Sequence, residues 1–303
     1  MAILEAVGLT KFYGRLPGIV DLDMAVQEGE VFGFIGPNGA GKTTTLRLFL
    51  GFLKPSRGQA IILGKDAWRH GVGVRREVGF LPDTPAFPPN LTGQEALDLL
   101  GRLQGKPPIL RRRWLDGLEL PASALRRSVR GYSTGMRQKL CLVQAFQHDP
   151  LVALLDEPTE ALDPLMQNAF FALLQEFVAR GRTVLFSSHI LPQVERACQR
   201  VAIVRENRLV TVETIDALRR RAIRSMEVLL KEDSPVDLHL SCVVSAQRDG
   251  RRLSLKVQGD ITPLLARLAQ VGIADMVYEP ARLEDIFLSF YTPQQAPTAN
   301  GRL

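Results

Sequence analysis

A chain of 303 residues with 46% apolar side chains has material for one large domain and a smaller one. It contains no run near the ~18 uninterrupted apolar residues of a membrane-crossing helix, and its start, "MAILEAVGLTKFYG", lacks the basic-then-apolar layout of a secretory leader, so a cytosolic chain is expected. The net charge of +6, with arginines clustered at Arg111 to Arg113, at Arg126, Arg127 and Arg130, and at Arg219 to Arg221, reads as solvated helix faces. No aromatic-rich strand or recognition helix accompanies these clusters, and no nucleic-acid partner is expected. Cys141, Cys198 and Cys242 are far apart and match neither a metal-ligand spacing nor a disulfide framework.

From Glu30 onward, short apolar runs alternate with stretches of helical period. "VFGFIG", "VGFLP", "LVALLDEP" and "TVLFSSH" are continuously apolar until each ends in a glycine, a proline or polar residues, the pattern of parallel strands buried on both faces. Helices are expected over 43–53, 92–103, 134–147, 164–180 and 192–199. The fold class is therefore α/β with a mostly parallel sheet, whose polar strand ends share one edge. "VAIVRENRLVTV" reads as a closing hairpin that turns at Glu206 and Asn207. Beyond "TIDALRRRAI" the pattern changes to strand, strand, "RDGR" turn, strand, helix, strand, helix, a small α+β domain. The expected division is 1–221 for the large domain, with a helical subdomain over about 84–145, then 222–291 for the accessory domain and a disordered tail over 292–303.

"GPNGAGKTT" follows the strand "VFGFI" and opens a helix, so Gly36, Gly41, Lys42 and Thr43 satisfy GxxxxGK(S/T) in the context that gives the motif meaning. Its glycines let backbone N–H groups wrap a β-phosphate, Lys42 reaches the β and γ oxygens, and the Thr43 hydroxyl ligates Mg²⁺. The nucleotide-binding set is Gly36, Asn38, Gly39, Ala40, Gly41, Lys42, Thr43 and Thr44. Asp156 closes the strand "LVALLD" as a metal-supporting carboxylate, and Glu157, one residue farther out, stands where a general base belongs. An acid pair at a strand end also occurs as a solvated turn; beside a phosphate loop it reads as metal and base. His189 ends the next strand, on the edge that bears Asp156, and reads as catalytic rather than structural. A second anion-binding feature is "RGYSTGMRQKL", in which Ser133 and Gly135 open a helix whose free N–H groups suit a phosphate.

The order of phosphate loop, "YSTGMRQ", "LLDEPTEALDP" and "SSH" resembles the ATP-binding cassette (ABC) family from about residue 4 to 212. The resemblance implies an ATPase using ATP and Mg²⁺. It also implies a homodimer in which Ser133, Gly135 and Gln138 of one protomer act on the ATP held by the other. In the family's roles, Glu157 polarises the attacking water, His189 contacts the γ-phosphate, Asp163 links the two sites, and Tyr13 stacks on adenine; read alone, an aromatic such as Tyr13 is more often a core residue. "YSTGMRQ" is similar to the signature of cassettes that serve drug, antibiotic, polysaccharide and ion exporters with a separate integral membrane permease. This implies a protein held on the inner face of the cell membrane through that permease. Two departures stand out. Glu160 and Ala161 occupy positions where serine and glycine are usual, and Asp83 stands where the family normally has glutamine, or glutamate in this branch, as a candidate Mg²⁺ contact or a solvated loop aspartate. The alternative is a soluble nucleotide-gated interaction module with low turnover.

Overall fold

The computed structural model describes residues 1–221 and 223–279. Two compact units meet in the sequence between Glu213 and Thr214. The first opens with a long antiparallel pair, β1 (Ala2–Tyr13) and β2 (Leu16–Gln27). Four register shifts interrupt this pairing, so apolar residues fail to alternate with a period of two and the strands escape a periodicity reading. Next come β3 (Val31–Ile35), α1 (Lys42–Phe49), β4 (Arg57–Ile62), β5 (Lys65–Asp66), α2 (Gly71–Arg75) and β6 (Val78–Leu81). Helix α1 ends short of the expected residue 53. Gly51 lies in the left-handed region at φ 64°, and a Cβ there would lie 2.2 Å from the Ala67 carbonyl oxygen, so the chain turns where only glycine fits.

A helical insertion follows: α3 (Gly93–Gln104), α4 (Arg111–Gly117), α5 (Ala122–Leu125), a 3₁₀ turn over Val129–Gly131, and α6 (Thr134–Phe146). Thr92 and Glu95 form a reciprocal capping box that starts α3. Helix α4 begins with three arginines, against its dipole, and carries no capping side chain. Tertiary contacts hold it: Arg111 Nε donates to Gln147 Oε1 at 2.8 Å, Arg111 pairs with Asp98, and the Trp114 ring stacks on Phe146 at 3.9 Å.

The unit closes with β7 (Val152–Asp156), α7 (Pro164–Ala179), β8 (Thr183–Ser188), α8 (Leu191–Ala197), β9 (Arg200–Arg205) and β10 (Arg208–Thr214). Its ten strands form one mixed sheet in the order β5-β4-β1-β2-β10-β9-β3-β8-β7-β6. The run β9-β3-β8-β7-β6 is parallel, and β5-β4-β1-β2 is antiparallel. Every residue of β3, β7 and β8 is buried, as strands covered on both faces must be. The register sets Ile35 opposite Ser188 and Asp156 opposite Ser187, which brings the phosphate loop, the acid pair and His189 to one sheet edge.

The second unit contains α9 (Ile215–Arg221), β11 (Arg224–Leu230), β12 (Val243–Asp249), β13 (Arg252–Val257), α10 (Thr262–Val271) and β14 (Ile273–Tyr278). Its antiparallel sheet runs β12-β13-β11-β14. Alternate residues Met226, Val228, Leu230, Leu253, Leu255 and Val257 form its core with Leu264 and Leu268 of α10. The expected last helix and the 292–303 tail lie outside the described residues. No helix among the described residues is long and apolar enough to cross a membrane.

Candidate active site

The phosphate loop is fixed by two glycines that press against neighbouring backbone. Gly41 adopts φ 98°, and a Cβ there would lie 2.2 Å from the Gly18 carbonyl oxygen; on Gly36 it would lie 2.6 Å from the Val204 carbonyl oxygen. No side chain caps α1, so the N–H groups of its first turn remain available to an anion. Lys42 is only 6% exposed. Its Nζ donates to the Gly36 carbonyl at 2.8 Å and lies 3.3 Å from Glu157 Oε1.

Thr43 and Asp156 meet on the other side of the loop. Thr43 Oγ1 donates to Asp156 Oδ2 at 2.6 Å and Ser187 Oγ to Asp156 Oδ1 at 2.5 Å. Burial pushes the Asp156 carboxyl above the usual carboxylate range; the two hydroxyl bonds oppose that rise, while the charges of Asp83 and Glu157 add to it. A threonine hydroxyl beside a buried carboxylate is a pair of hard oxygen ligands, the donor chemistry that suits Mg²⁺.

Glu157 sits in the left-handed region at φ 49°, a conformation that costs a non-glycine residue about 1–3 kcal/mol. Its Oε1 lies 2.9 Å from His189 Nδ1 and 3.3 Å from Lys42 Nζ, yet neither contact is aligned as a hydrogen bond, and among the described residues this buried oxygen accepts none. Proximity therefore compensates the charge while leaving the lone pairs free for a donor such as water.

A cleft of about 640 Å³ joins these groups. Its lining includes Asn38, Gly39, Gly41, Lys42, Thr43 and Thr44 from the loop; Gly36 and Ala40 do not line it, and Gly36 contributes through its carbonyl bond to Lys42. Tyr13 also lines the cleft and is 46% exposed, with its hydroxyl 3.4 Å from Thr44 Oγ1, so it is an open ring face rather than a core aromatic. Asp83 is exposed and faces the same cleft as Asp156 and Glu157. Sequence reasoning misses three contributors. Glu160 lines the cleft as an additional carboxylate, Asn207 lines it from the β9–β10 turn, and Ser187 acts on Asp156 from the neighbouring strand. The first two lie in quoted motifs, but the Ser187 contact follows only from strand register.

The signature residues stand apart. Ser133 caps α6, its Oγ accepting from the Met136 N–H at 3.2 Å, and a Cβ on Gly135 would lie 3.0 Å from the Ala161 carbonyl oxygen. Neither residue lines the cleft of its own chain. Gln138, on the same helix, is 2% exposed and its Nε2 donates to the Pro158 carbonyl at 2.8 Å, bracing α6 against the segment after Glu157. Asp163 is exposed and caps α7, with Oδ1 accepting from the Met166 N–H at 2.9 Å.

The family is identifiable from these features and from known proteins. A family model described as an ABC transporter matches residues 19–160. The Nod factor export ATP-binding protein I of Paraburkholderia xenovorans (strain LB400) is 33% identical over 299 residues, covering 95% of this chain and 96% of its own. The bacitracin transport ATP-binding protein BcrA of Bacillus licheniformis is 34% identical over 242 residues, covering 77% and 76% of the two chains. A solved structure of an ATP-binding subunit of an ABC transporter superposes with a TM-score of 0.68 at 32% identity, over 72% of this chain and 92% of that one. A dimeric, post-hydrolysis ATP-binding cassette bound to ADP and Pi shares the fold at 22% identity, with a TM-score of 0.63. The chain belongs to the ATP-binding subunits of the ABC transporter family, and its enzymatic class is ATPase.

Proposed function

We propose that this chain is the ATP-hydrolysing subunit of an exporter whose integral membrane permease is a separate chain, and that it works as a homodimer on the cytoplasmic face of the membrane. The observation that carries this reading is the convergence of Lys42, Thr43, Asp156, Glu157 and His189 on one cleft, while Ser133 and Gly135 lie outside it. A cleft lacking its signature residues is completed by a second copy. The names of the relatives, one of Nod factor export and one of bacitracin transport, support export.

In this reading Lys42 moves from Glu157 to the β and γ oxygens of ATP, and the N–H groups of the loop and of α1 surround the β-phosphate. Tyr13 offers its exposed ring to adenine. Thr43 and Asp156, with Asp83 on the wall of the same cleft, would hold Mg²⁺, whose charge would offset the negative charge that develops on the phosphate oxygens. Glu157 accepts a hydrogen bond from the attacking water through the oxygen that lacks an aligned donor, and His189 contacts the γ-phosphate. Ser133 and Gly135 of the partner close over that phosphate, and Asp163 lies at the junction between protomers. The cassette corresponds to the first unit, up to Glu213, including the helical subdomain, and the unit that begins at Thr214 serves as an accessory domain that supports dimerisation or regulation.

A second reading, a nucleotide-gated module of low turnover, draws on Asp83 and Glu160, which add two carboxylates to the cleft. Steady-state ATPase assays with Mg²⁺, with and without the permease in proteoliposomes, separate the two. Turnover stimulated by the permease, and abolished in Glu157→Gln while ATP binding persists, is expected for the transporter. ATP binding without turnover in either setting would favour the module.

A further inference from the structure

One wall of the cleft comes from outside every phosphate-binding motif. The β9–β10 hairpin turns at Glu206 and Asn207, which lie in the left-handed region at φ 50° and 61°. Asparagine tolerates that conformation better than most residues, so the turn alone explains the residue type but not the direction of its side chain. Asn207 lines the same cleft as Tyr13 and Lys42. With its amide nitrogen toward the loop, Asn207 donates to the Gly39 carbonyl at 2.9 Å and to the Gly18 carbonyl at 3.2 Å. The opposite orientation would set the amide oxygen against two carbonyl oxygens with no donor between them, so the nitrogen faces inward. The Asn207 carbonyl also accepts from the Val20 N–H at 2.7 Å, tying the turn to β2.

The Gly18 carbonyl is the crowded point of this region. Gly41 presses on it, as its 2.2 Å clearance for a Cβ shows, while a Cβ on Gly18 itself would lie 2.8 Å from Tyr13 Cε2 and 3.0 Å from Thr44 Cγ2. Gly39, at φ 83° with open space around its Cα, has no side chain to hold it. The amide of Asn207 supplies that restraint from the far side.

We propose that Asn207 is a positioning residue for nucleotide binding, its single amide bridging Gly39 and Gly18 so that the phosphate loop is held in register with β2. The inference rests on the reading of this cleft as the ATP site. A loop restrained before the ligand arrives loses less freedom on binding. Because the loop wraps the β-phosphate, ATP and ADP gain equally from the restraint, whereas the chemical step, carried by Glu157 and His189, does not depend on it.

The test uses the full chain. Asn207→Gly keeps the left-handed turn without strain and removes the bridge; Asn207→Asp keeps the turn and presents only acceptors to two carbonyl oxygens. Calorimetric titration with ATP and with ADP should show both nucleotides bound about three- to tenfold more weakly by Asn207→Gly, and more weakly still by Asn207→Asp. Thermal midpoint should change little, and kcat at saturating ATP should stay within about twofold in Asn207→Gly, so the loss falls on KM. Parental affinity in Asn207→Gly would overturn the proposal, as would an affinity loss that merely follows a lowered midpoint. Failure of the parent to bind either nucleotide would overturn the reading of the cleft itself, a result distinct from a parent that binds and a variant that matches it.

Discussion

Removing Lys42 should destabilise the nucleotide-free protein by more than the bonds it makes, because Glu157 is left behind. The lysine and the carboxylate are both largely buried, 3.3 Å apart, and the lysine also donates to the Gly36 carbonyl at 2.8 Å. Loss of that charged hydrogen bond costs about 1–2 kcal/mol. Breaking a buried pair by deleting one partner costs about 3–5 kcal/mol when nothing else compensates. Here His189 remains 2.9 Å from the same oxygen and the cleft admits water, which reduces the stranded-charge contribution to about 1–2 kcal/mol. Lys42→Ala should therefore lose about 2–4 kcal/mol in total. Glu157→Gln removes the charge that would be stranded, so Lys42→Ala should cost about 1–2 kcal/mol less in that background. The assay is urea denaturation of the four proteins of this double-mutant cycle without nucleotide. Tryptophan fluorescence follows it, since Trp68 and Trp114 both lie in the first unit and report its unfolding. Costs that add to within about 0.5 kcal/mol would refute the reasoning, because the pair would then carry no energy in the resting cleft.

Two further outcomes follow from the geometry. His148 is buried, and the Gln104 amide nitrogen lies 3.0 Å from its Nε2, a contact that needs the neutral ring; burial, and then the charge of Lys106, hold its pKa down at about 4. The unfolded chain, with an ordinary histidine near 6.5, binds the proton more readily between those values, so this contribution to stability is complete above about pH 6.5 and lost as pH falls toward 4. The loss should reach about 3 kcal/mol and shrink in His148→Gln, and identical urea midpoint shifts between pH 7.5 and 5 in parent and variant would contradict it. Gly41→Ala forces a Cβ to within 2.2 Å of a carbonyl oxygen at φ 98°, so it should lower the thermal midpoint and abolish ATP binding together; parental ATP affinity in this variant would mean that the loop is not held as described.

The parts of the site that were legible in the sequence are those carried by contiguous residues. A short buried strand running into "GPNGAGKTT", "LLDEP" or "SSH" fixes both the chemistry and its place at a strand end, and the structure brings Lys42, Thr43, Asp156, Glu157 and His189 to one cleft. What escaped depends on contacts between distant segments. Ser187 reaches Asp156 only because β7 and β8 pair in one register. The Asn207 amide meets Gly39 across the sheet, and nothing in "RENRL" marks that destination. Helix α4 has no capping side chain and opens on three like charges, so its stability resides in Trp114 and the bonds of Arg111. Gln138 could be placed on α6 but not on a face of it, and burial against Pro158 was decided by packing. The strands β1 and β2 were hidden by their own bulges.

The central claim is that two copies of this chain build each ATP site jointly, and linked dimers with defined lesions test it most directly. In one linked dimer, Ser133→Arg is placed in one protomer and Lys42→Ala in the other. In a second, both substitutions sit in the same protomer opposite an unaltered one. If Ser133 serves the partner's ATP, the first arrangement keeps one intact phosphate loop facing one intact signature and retains ATPase activity, whereas the second has no complete site and is inactive. An inactive first dimer with an active second one would show that serine and lysine serve the same ATP within a single chain, and would contradict the account.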